Sequence, residues 1–138
     1  MVIDLAVTSG VMDTLLAEAT KAGAEECCGL LLGAKPEGGK VLITRTLRAA
    51  NVADEPTQRF EIDPLVLVRA HKAAREGGAQ VLGYYHSHPN GRAEPSPCDS
   101  EQASGDGRIW AIIANGAISF WQDTYSGFEH LPYALSHG

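Results

Sequence analysis

The sequence VLGYYHSHPNGRAEPSPCD, residues 81–99, decides how this chain is interpreted. Its first half is apolar and aromatic, which predicts an extended segment that leads into His86 and His88. In extended backbone, residues two positions apart point to the same face, so the two imidazoles converge. With the carboxylate of Asp99, they supply two nitrogen ligands and one oxygen ligand for a metal ion. Three protein ligands leave the fourth tetrahedral position of Zn²⁺ to water, which is typical of hydrolytic sites.

The second half of this stretch also has a purely structural interpretation. Ser96 is a good helix N-cap, Pro97 suits the first helical position, and Asp99 at the third position is stabilised by the helix dipole. The two interpretations are compatible, because a carboxylate in the first turn of a helix has a fixed orientation and can be aimed at a metal. A His-x-His pair alone is a weak signal, and the spacing to Asp99 is what favours the metal site.

These residues resemble the signature of the JAMM (MPN+) zinc metallopeptidases, in particular the prokaryotic single-domain type. The signature is an upstream Glu, then His-x-His-Pro, six residues, and Ser-x-x-Asp. Its second part is matched by His86, His88, Pro89, Ser96 and Asp99. The family's Glu commonly precedes a short apolar strand, and this chain has ECCGLLLG at residues 26–33. The resemblance implies that Glu26 is the general base. Glu25, on the opposite face of an extended segment, is the second choice.

The resemblance also implies a mechanism of amide hydrolysis. A zinc ion held by His86, His88 and Asp99 lowers the pKa of its bound water. Glu26 takes the proton as the resulting hydroxide attacks the scissile carbonyl, and then returns it to the leaving amine. The hydroxyl of Ser96 is expected to donate to the oxyanion, a contribution of about 2 to 4 kcal/mol for a well-placed donor. If Ser96 is only a helix cap, its loss affects stability and not kcat.

Length and composition fit one catalytic domain, residues 1–138. Of the 138 residues, 44% are hydrophobic and 20% charged, which is usual for a single globular domain. We expect a soluble, cytoplasmic protein, because the N-terminus has no basic region before an apolar run and no apolar stretch approaches the ~20 residues that span a membrane. The net charge of −6 and the pI near 5.3 argue against a nucleic-acid partner, since phosphate binding needs clustered Lys and Arg.

The three cysteines do not predict a disulfide framework. Cys27 and Cys28 are adjacent and project to opposite faces of a strand, so at most one of them could pair with Cys98. In an intracellular chain, both are better interpreted as small core residues. Cys98 lies beside Asp99, and its oxidation or its binding of a wrong metal would affect the site.

The order of elements predicts an α/β fold: a curved, mixed, largely antiparallel sheet packed by two longer helices and a short one after Ser96. The resemblance implies a sheet similar to that of cytidine deaminase. The longer helices are expected at residues 11–22 and from Pro64 to Gly77, with Asp63 as N-cap of the second. The Asn115-Gly116 pair predicts a tight hairpin. Besides the strand that carries the histidines, strands are predicted at residues 2–7, 27–32, 40–47, 59–62, 109–114, 117–123 and 128–133.

A rival chemistry on a similar fold is zinc-dependent nucleobase deamination. That reaction needs His-x-Glu followed by Pro-Cys-x-x-Cys. This chain has Pro97-Cys98, but Glu101 stands where the second cysteine is required, and His-x-His replaces His-x-Glu. Deamination is therefore not expected. His71, inside the second predicted helix, has no ligand at a matching spacing and is interpreted as a partly exposed surface residue.

The resemblance further implies a substrate class. Family members cleave peptide or isopeptide bonds after the C-terminal Gly-Gly of ubiquitin-like proteins, and the short prokaryotic relatives resemble enzymes that process sulfur-carrier proteins. Two alternatives stay open: a non-enzymatic MPN scaffold, and a zinc peptidase of small peptides without a ubiquitin-like partner. Scaffolds usually lose metal ligands, and none is missing here. No nucleic-acid or membrane partner is expected.

Overall fold

The structure is a computed structural model that describes residues 3–137. The strands are β1 (Asp4–Thr8), β2 (Cys28–Gly33), β3 (Lys40–Ala49), β4 (Gln80–Ser87), β5 (Ile109–Ala114), β6 (Ala117–Thr124), β7 (Gly127–Leu131) and β8 (Tyr133–Ser136). The helices are α1 (Ser9–Ala22), α2 (Pro64–Arg75) and α3 (Pro97–Gln102). Val2, the predicted first residue of the first strand, lies outside the described residues.

The eight described strands form one sheet in the order β7-β6-β5-β4-β2-β3-β1-β8. Of its seven strand pairings, four are antiparallel and three are parallel, so the sheet is mixed, as predicted. β4, which carries His86 and leads into His88, lies near the centre between β2 and β5. Because both of its edges are hydrogen-bonded, the backbone that leads to the histidines is held on two sides.

The sheet separates two apolar layers. On one face, Leu15 of α1 packs in a buried cluster with Tyr85 of β4. On the other face, Ala70 of α2 packs with Phe60 and Trp110. Because helices cover both faces of the sheet, β2 is buried along its whole length, which explains why its sequence is a continuous apolar run. Burial of each large apolar side chain contributes about 1.5–3 kcal/mol, which holds both helices on the sheet.

Local sequence explains where the helices begin. Thr8 caps α1, its hydroxyl accepting the N–H of Val11, and α1 starts two residues earlier than predicted. The Asp63 carboxylate caps α2, with Pro64 at the first helical position, as the sequence predicted. No helix within residues 3–137 combines the length and the apolar character needed to cross a membrane.

The predicted turn between β5 and β6 is confirmed. Asn115 and Gly116 have φ values of 51° and 73°, the left-handed conformations that a two-residue type I′ hairpin requires. Gly83 allows the backbones of β4 and β5 to approach closely. A Cβ atom added to Gly83 would lie 1.7 Å from the carbonyl oxygen of Ile109, so no other residue fits without separating β4 from β5.

A β-bulge in β4 decides which way the histidines point. The pairing register with β2 skips Leu82, so β4 contains one extra residue at this position. As a result, Leu82 and Tyr85, three residues apart, both pack on the α1 side. Val81 and Tyr84, also three apart, both pack on the α2 side. His86 follows Tyr84 by two residues and therefore faces the α2 side of the sheet.

The strand predicted at residues 59–62 is wrong. These residues belong to a loop between β3 and α2, which is closed by an isolated bridge between Asn51 and Ile62. The apolar residues that suggested a strand, Phe60 and Ile62, are instead buried in the α2-side cluster. Burial of a loop side chain gives the same apolar pattern as a short strand, so the pattern alone does not distinguish them.

The single strand predicted at residues 128–133 is also wrong, because Pro132 divides it. β7 ends before Pro132 and β8 starts after it, and the two strands lie at opposite edges of the sheet. Proline lacks the N–H that continued pairing requires. Since one residue joins the two edges, the sheet curls until they are close, and the ring of Phe120 in β6 contacts that of Tyr133 in β8, with centroids 4.9 Å apart.

Candidate active site

Three polar side chains meet at the carboxyl end of β4, on the side that α2 covers. The Nε2 atoms of His86 and His88 lie 3.0 Å apart. The Asp99 carboxylate contacts both imidazoles: its Oδ1 lies 3.0 Å from Nε2 of His86, and its Oδ2 lies 3.1 Å from Nε2 of His88. His86 is fully buried, and the other two side chains are nearly so. These are the three residues that the sequence analysis proposed as metal ligands.

The local structure around Asp99 combines both interpretations of its sequence. The hydroxyl of Ser96 accepts the N–H of Asp99 at 3.1 Å, and Oδ2 of Asp99 accepts the N–H of Ser96 at 2.9 Å. This is a capping box at the start of α3, with Pro97 at the first helical position. The box fixes the rotamer of Asp99, and the same carboxylate contacts the histidines. The carboxylate of Asp99 is therefore both a part of the helix cap and a candidate metal ligand.

Neighbouring groups orient both imidazoles. The ring of Phe60 stacks on that of His86, with centroids 4.2 Å apart and planes 18° apart, and Trp110 packs edge-on at 5.7 Å. Nδ1 of His88 lies 2.7 Å from the carbonyl oxygen of Arg92. A carbonyl only accepts, so Nδ1 of His88 carries a proton, and in the neutral imidazole Nε2 is then the nitrogen that can bind a metal. This tautomer is the one that a metal ligand requires.

Glu26 lies beside this cluster, two residues before the start of β2. Its carboxyl oxygen and the ring nitrogens of His86 and His88 are all within 4.8 Å of one another. The side chain is buried, and its Oε1 has no hydrogen-bond partner among the described residues. Burial raises the pKa of Glu26 to about 7; the nearby His88 opposes the rise and Asp99 adds to it. Glu25 is exposed and does not share this environment.

The charges of the other three groups follow from the same contacts. Burial lowers the pKa of His86, although Asp99 opposes this. Burial also acts to lower the pKa of His88, but hydrogen bonds to Asp99 and to the carbonyl of Arg92 outweigh it, and the pKa is raised. Burial acts to raise the pKa of Asp99, yet its hydrogen bonds with the two imidazoles hold that pKa well below its usual range. An ionised carboxylate beside two nitrogen donors suits a divalent cation.

A cavity of about 380 Å³ opens beside the cluster. Glu26, His88 and Ser96 line it, together with Thr57 and Arg92 from the two loops at its sides. The oxygen of Ser96 already accepts the N–H of Asp99, which leaves its hydroxyl proton available to a group in the cavity. The geometry is thus compatible with both roles considered for Ser96, a helix cap and a donor to an oxyanion.

Several supporting residues were missed by the sequence analysis. Phe60, the carbonyl of Arg92 and the side chain of Asn51 all stabilise the site, and none belongs to the signature. The loop that carries Arg92 is itself held by the hairpin after β5: Asn115 Nδ2 donates to the carbonyl of Gly91 at 3.2 Å. The polar loop after β3 was a signal for Asn51, since Asn often organises loops through its side chain. No pattern in the sequence indicates that Phe60 stacks on His86, which is 26 positions away.

The cysteines and His71 match the structural interpretation. All three cysteines are free. Cys28 is buried in the α2-side cluster and Cys27 packs against the α1-side cluster, as expected of small core residues. Cys98 is half-buried, and its sulfur lies 4.0 Å from Nε2 of Gln102. His71 is half-buried on α2 and does not belong to the group of residues that meet at the end of β4.

The curled mixed sheet and the site at the end of its central strand define a class: this chain is a hydrolase with the JAB/MPN/JAMM fold. The comparison with protein families agrees. The family described as prokaryotic homologs of the JAB domain matches residues 8–124. Since this match covers most of the chain, the chain belongs to that family.

Two relatives are similar over much of their length. The desampylase of Haloferax volcanii is 30% identical over 136 residues, which cover 95% of this chain and 96% of the relative. A probable TtuB-protein conjugate cleaving protease of Thermus thermophilus is 33% identical over 99 residues, covering 72% of this chain and 63% of that protein. Both relatives are named for the cleavage of a protein modification or conjugate, and their likeness supports the assignment as a hydrolase.

Known structures agree with the fold. The solution structure of a protein from Desulfitobacterium hafniense superimposes with a TM-score of 0.85 and is 27% identical, covering 97% of this chain and 94% of that one. The crystal structure of a JAB1/MPN domain protein from Archaeoglobus fulgidus superimposes with a TM-score of 0.62 at 16% identity, covering 98% of each chain. At that identity the second likeness concerns the fold alone, and it supports the predicted sheet architecture.

Proposed function

We propose that this chain is a zinc-dependent peptidase that cleaves peptide or isopeptide bonds. The observation that carries this proposal is the contact of His86, His88 and Asp99 within 3.0–3.1 Å, with the buried carboxyl group of Glu26 beside them. Two nitrogen donors and one carboxylate match the open zinc sites of hydrolases.

The donor set fits zinc on geometric grounds. Ligand atoms at the usual zinc distances lie about 3.3–3.5 Å apart around a tetrahedral ion. The three contacts here, in which each imidazole meets a different oxygen of Asp99, are only a few tenths of an ångström shorter. Nε2 of His86 and Nε2 of His88 face each other at 3.0 Å, an arrangement that a shared cation stabilises better than a proton shared between two rings. A zinc ion at this position would supply Lewis acidity and an easily deprotonated water.

The remaining chemistry belongs to residues of the chain. With a pKa of about 7, Glu26 can accept a proton at its unpaired Oε1 and donate it again near neutral pH. We propose that it takes the proton of the attacking water and delivers it to the leaving amine. The O–H of Ser96, in the same cavity, would donate to the oxygen of the scissile carbonyl as negative charge develops there. The capping box holds Ser96 in position for this role.

For the substrate, we propose the diglycine tail of a ubiquitin-like or sulfur-carrier protein. The relatives named as a desampylase and as a TtuB-protein conjugate cleaving protease support hydrolysis of a protein conjugate. Residues of two loops line the cavity beside Glu26, and glycine allows a substrate backbone to approach the site more closely than larger residues do. The physical requirement is therefore an extended tail without side chains at the scissile bond.

The outward face of α2 suits the folded body of such a substrate. Leu65 and Val68 are 51% and 63% exposed, and Arg69, Lys72 and Arg75 lie on the same helical stripe. The helix has no acidic residue, although the whole chain carries a net charge of −6. An apolar centre with a basic rim favours an acidic partner with an apolar patch.

The position of α2 relative to the site supports this role. The first residue of α2, Pro64, lines a cavity of about 330 Å³ together with Phe60, the ring that stacks on His86. The start of α2 is therefore next to the metal-binding cluster. We propose that a protein bound along α2 extends its tail past Phe60 toward Glu26.

Two parts of the proposal concern the whole chain. We propose that residues 1–138 act as one catalytic domain, since the described strands form one continuous sheet. The cytoplasmic location expected from the sequence stays a prediction. The scaffold alternative is disfavoured because all the proposed ligands are in contact, whereas the small-peptide alternative differs only in substrate and is separated by experiment.

The test uses intact mass spectrometry of the host's own ubiquitin-like and sulfur-carrier proteins. Each is prepared with an extension after its terminal Gly-Gly, and as a conjugate, then incubated with wild-type protein and with Glu26→Gln. We expect the wild type to release products that end in the diglycine, and Glu26→Gln to release very little. Changing the terminal Gly of the carrier to Val should abolish cleavage, because the side chain obstructs the approach to the site.

The outcomes test three parts of the proposal separately: the substrate, the enzymatic activity and the requirement for a tail without side chains. Cleavage of unrelated peptides at comparable rates, with the carriers untouched, would retain the zinc peptidase and overturn the assigned substrate. Absence of zinc uptake together with absence of any hydrolysis would favour the scaffold. Carrier cleavage that is equally fast with Gly→Val would overturn the requirement for a tail without side chains.

A further inference from the structure

The loop between β3 and α2, residues 50–63, passes beside Glu26 without forming a helix or a paired strand. Its ends are joined by the isolated bridge between Asn51 and Ile62. Because no strand pairing fixes the path between these ends, the conformation of the loop depends on individual hydrogen bonds. Four of these bonds, at 3.0–3.1 Å, involve one side chain, the carboxamide of Asn51.

The carboxamide of Asn51 uses both its donors and its acceptor. Its Nδ2 donates to the carbonyl oxygens of Glu26 and Arg59, each at 3.0 Å. Its Oδ1 accepts the N–H of Ala53 at 3.1 Å and the N–H of Glu61 at 3.0 Å. These four bonds match the full capacity of an amide group, two N–H donors and two lone pairs, and Nδ2 makes a longer contact of 3.5 Å with the carbonyl oxygen of Pro56. They also determine which end of the amide is nitrogen, because each of those partners has only one possible role.

The same loop holds both backbone groups of Glu26. The N–H of Glu26 donates to the carbonyl of Pro56 at 2.8 Å, and its carbonyl accepts from Asn51. Glu26 precedes the first residue of β2, so the loop takes the place that a neighbouring strand would have. The position of the Glu26 carboxyl group near the histidines therefore depends on the loop.

The bonds to Asn51 reach the metal-binding cluster by a second route. The carbonyl of Arg59 and the N–H of Glu61, both bonded to Asn51, flank Phe60. The ring of Phe60 stacks on His86. One carboxamide thus connects the backbone of Glu26 to the residue that orients a histidine.

We propose that Asn51 is a positioning residue, which fixes the Glu26 carboxyl group and the Phe60 ring relative to His86. The role rests on the proposed function of Glu26 as general base. This positioning role requires the amide of asparagine. Aspartate has the same shape but only acceptor oxygens, so it could not donate to the carbonyl oxygens of Glu26 and Arg59. Small displacements of a catalytic group cost up to about 100-fold in rate.

The first experiment measures hydrogen exchange, without substrate, in wild type, Asn51→Asp and Asn51→Ala. Gln80→Ala is the matched control: its carboxamide also donates to two backbone carbonyls, those of Ala74 and Gly78, but at the other end of β4. We expect the amide of Glu26 to exchange at least tenfold faster in both Asn51 variants and to be unchanged in Gln80→Ala. Unchanged exchange at Glu26 in folded Asn51→Asp would overturn the proposal.

The second experiment measures kcat and KM on a diglycine-extended carrier with saturating zinc. We expect Asn51→Asp to lower kcat by about 10- to 100-fold with little change in KM. In a Glu26→Gln background the same substitution should lower kcat much less, because one of the two groups that it positions is already inactive. Equal losses in both backgrounds would overturn a role through Glu26.

The two experiments keep the two proposals distinguishable. If the wild type cleaves none of the carriers, the proposed function fails, while the exchange of the Glu26 amide still decides whether Asn51 holds this residue. If the wild type is active and Asn51→Asp matches Gln80→Ala in kcat and in exchange, the positioning role fails and the proposed function stands.

Discussion

The two ends of β4 differ in the size of their cavities and in the chemistry of the side chains that line them. At the amino end, Gln80, Asp106 and Arg108 line a cavity of about 760 Å³. At the carboxyl end, beside His88, the cavity has about half that volume, near 380 Å³. By size alone, the amino end would be chosen as the functional site.

The chemistry of the two ends reverses that choice. Arg108 at the amino end has one unpaired nitrogen, Nε, but its Nη1 is paired with Asp106 at 3.0 Å, and both side chains are partly exposed. At the carboxyl end, Glu26 is buried with an unpaired oxygen and a raised pKa, next to two imidazoles. Convergent buried groups that remain reactive therefore identify a site better than volume does.

The largest expected effect is loss of a donor at the carboxyl end. His88→Ala and Asp99→Ala each leave two of the three proposed ligands, so zinc should fall from about one per chain to near zero and hydrolysis to background. Metal analysis after purification without added chelator, followed by zinc titration, measures this. Asp63→Ala is the control for Asp99, since Asp63 caps α2 in a similar way; it should retain zinc while losing about 0.5–2 kcal/mol of stability. Full occupancy in Asp99→Ala would show that the ligand is another residue.

Glu26→Gln should give the next largest effect. The substitution keeps the shape of the side chain but removes its ability to accept a proton, so kcat should fall by about 10²- to 10⁴-fold while zinc is retained. Glu25→Gln, exposed and adjacent in sequence, should stay near wild type. Loss of zinc in Glu26→Gln would make Glu26 a ligand, and reversal of the two results would make Glu25 the base.

Ser96→Ala distinguishes a donor to the oxyanion from a helix cap. If the hydroxyl donates to the oxyanion, kcat should fall by about 10²- to 10³-fold. Loss of the cap should in addition lower the free energy of unfolding by about 0.5–2 kcal/mol. Ser96→Thr retains a hydroxyl and should therefore keep much of the wild-type kcat and much of the wild-type stability. A drop in stability measured by urea unfolding, with kcat unchanged, would leave Ser96 as a cap alone.

Charge reversal on α2 should have a smaller effect, confined to substrate binding. Arg69→Glu or Lys72→Glu places an acid on the proposed basic rim, so KM for an acidic carrier should rise several-fold while kcat changes little. The difference from wild type should shrink at high salt. Lys35→Glu, in the exposed turn between β2 and β3 at the amino end of β4, is the control and should leave KM unchanged. Equal effects from the two surfaces would indicate general repulsion and argue against docking on α2.

The smallest effect is expected from Arg108→Ala at the amino end of β4. It removes a partly exposed ion pair with Asp106, which contributes at most about 1 kcal/mol. Zinc content, kcat and KM should match wild type, with only a slight fall in the urea midpoint. A large loss of activity here would mean that the larger cavity participates in function and would remove the contrast between the two ends.

Much of the site could be anticipated because its parts are close in sequence. His86 and His88 share a face through the alternation of extended backbone, and the capping box that aims Asp99 spans only Ser96 to Asp99. The hairpin at Asn115 was equally local, since a two-residue turn depends on its own two residues. Local rules were sufficient wherever a conformation is decided within a few residues.

The errors and omissions involve residues that are distant in sequence. Phe60 was assigned to a strand, because burial against His86 gives the same apolar pattern as a strand does. Pro132 was accepted within one edge strand, yet it divides two strands at opposite edges, which becomes evident only when the sheet has curled. Asn51 is one polar residue in a polar loop until its bonds to Glu26 and Arg59 are seen.

By itself, the sequence determined the candidate ligands, the strand that leads into His86 and His88, and the cap that orients Asp99, because these depend on near neighbours along the chain. Only the tertiary structure decided that these groups meet Glu26. The bulge at Leu82 turns the histidines toward the α2 side, and the pairing of β2 with β4 brings Glu26 next to them. The pKa of about 7 at Glu26 is likewise a tertiary property, since it comes from burial, which no residue has until the sheet and its helices have packed.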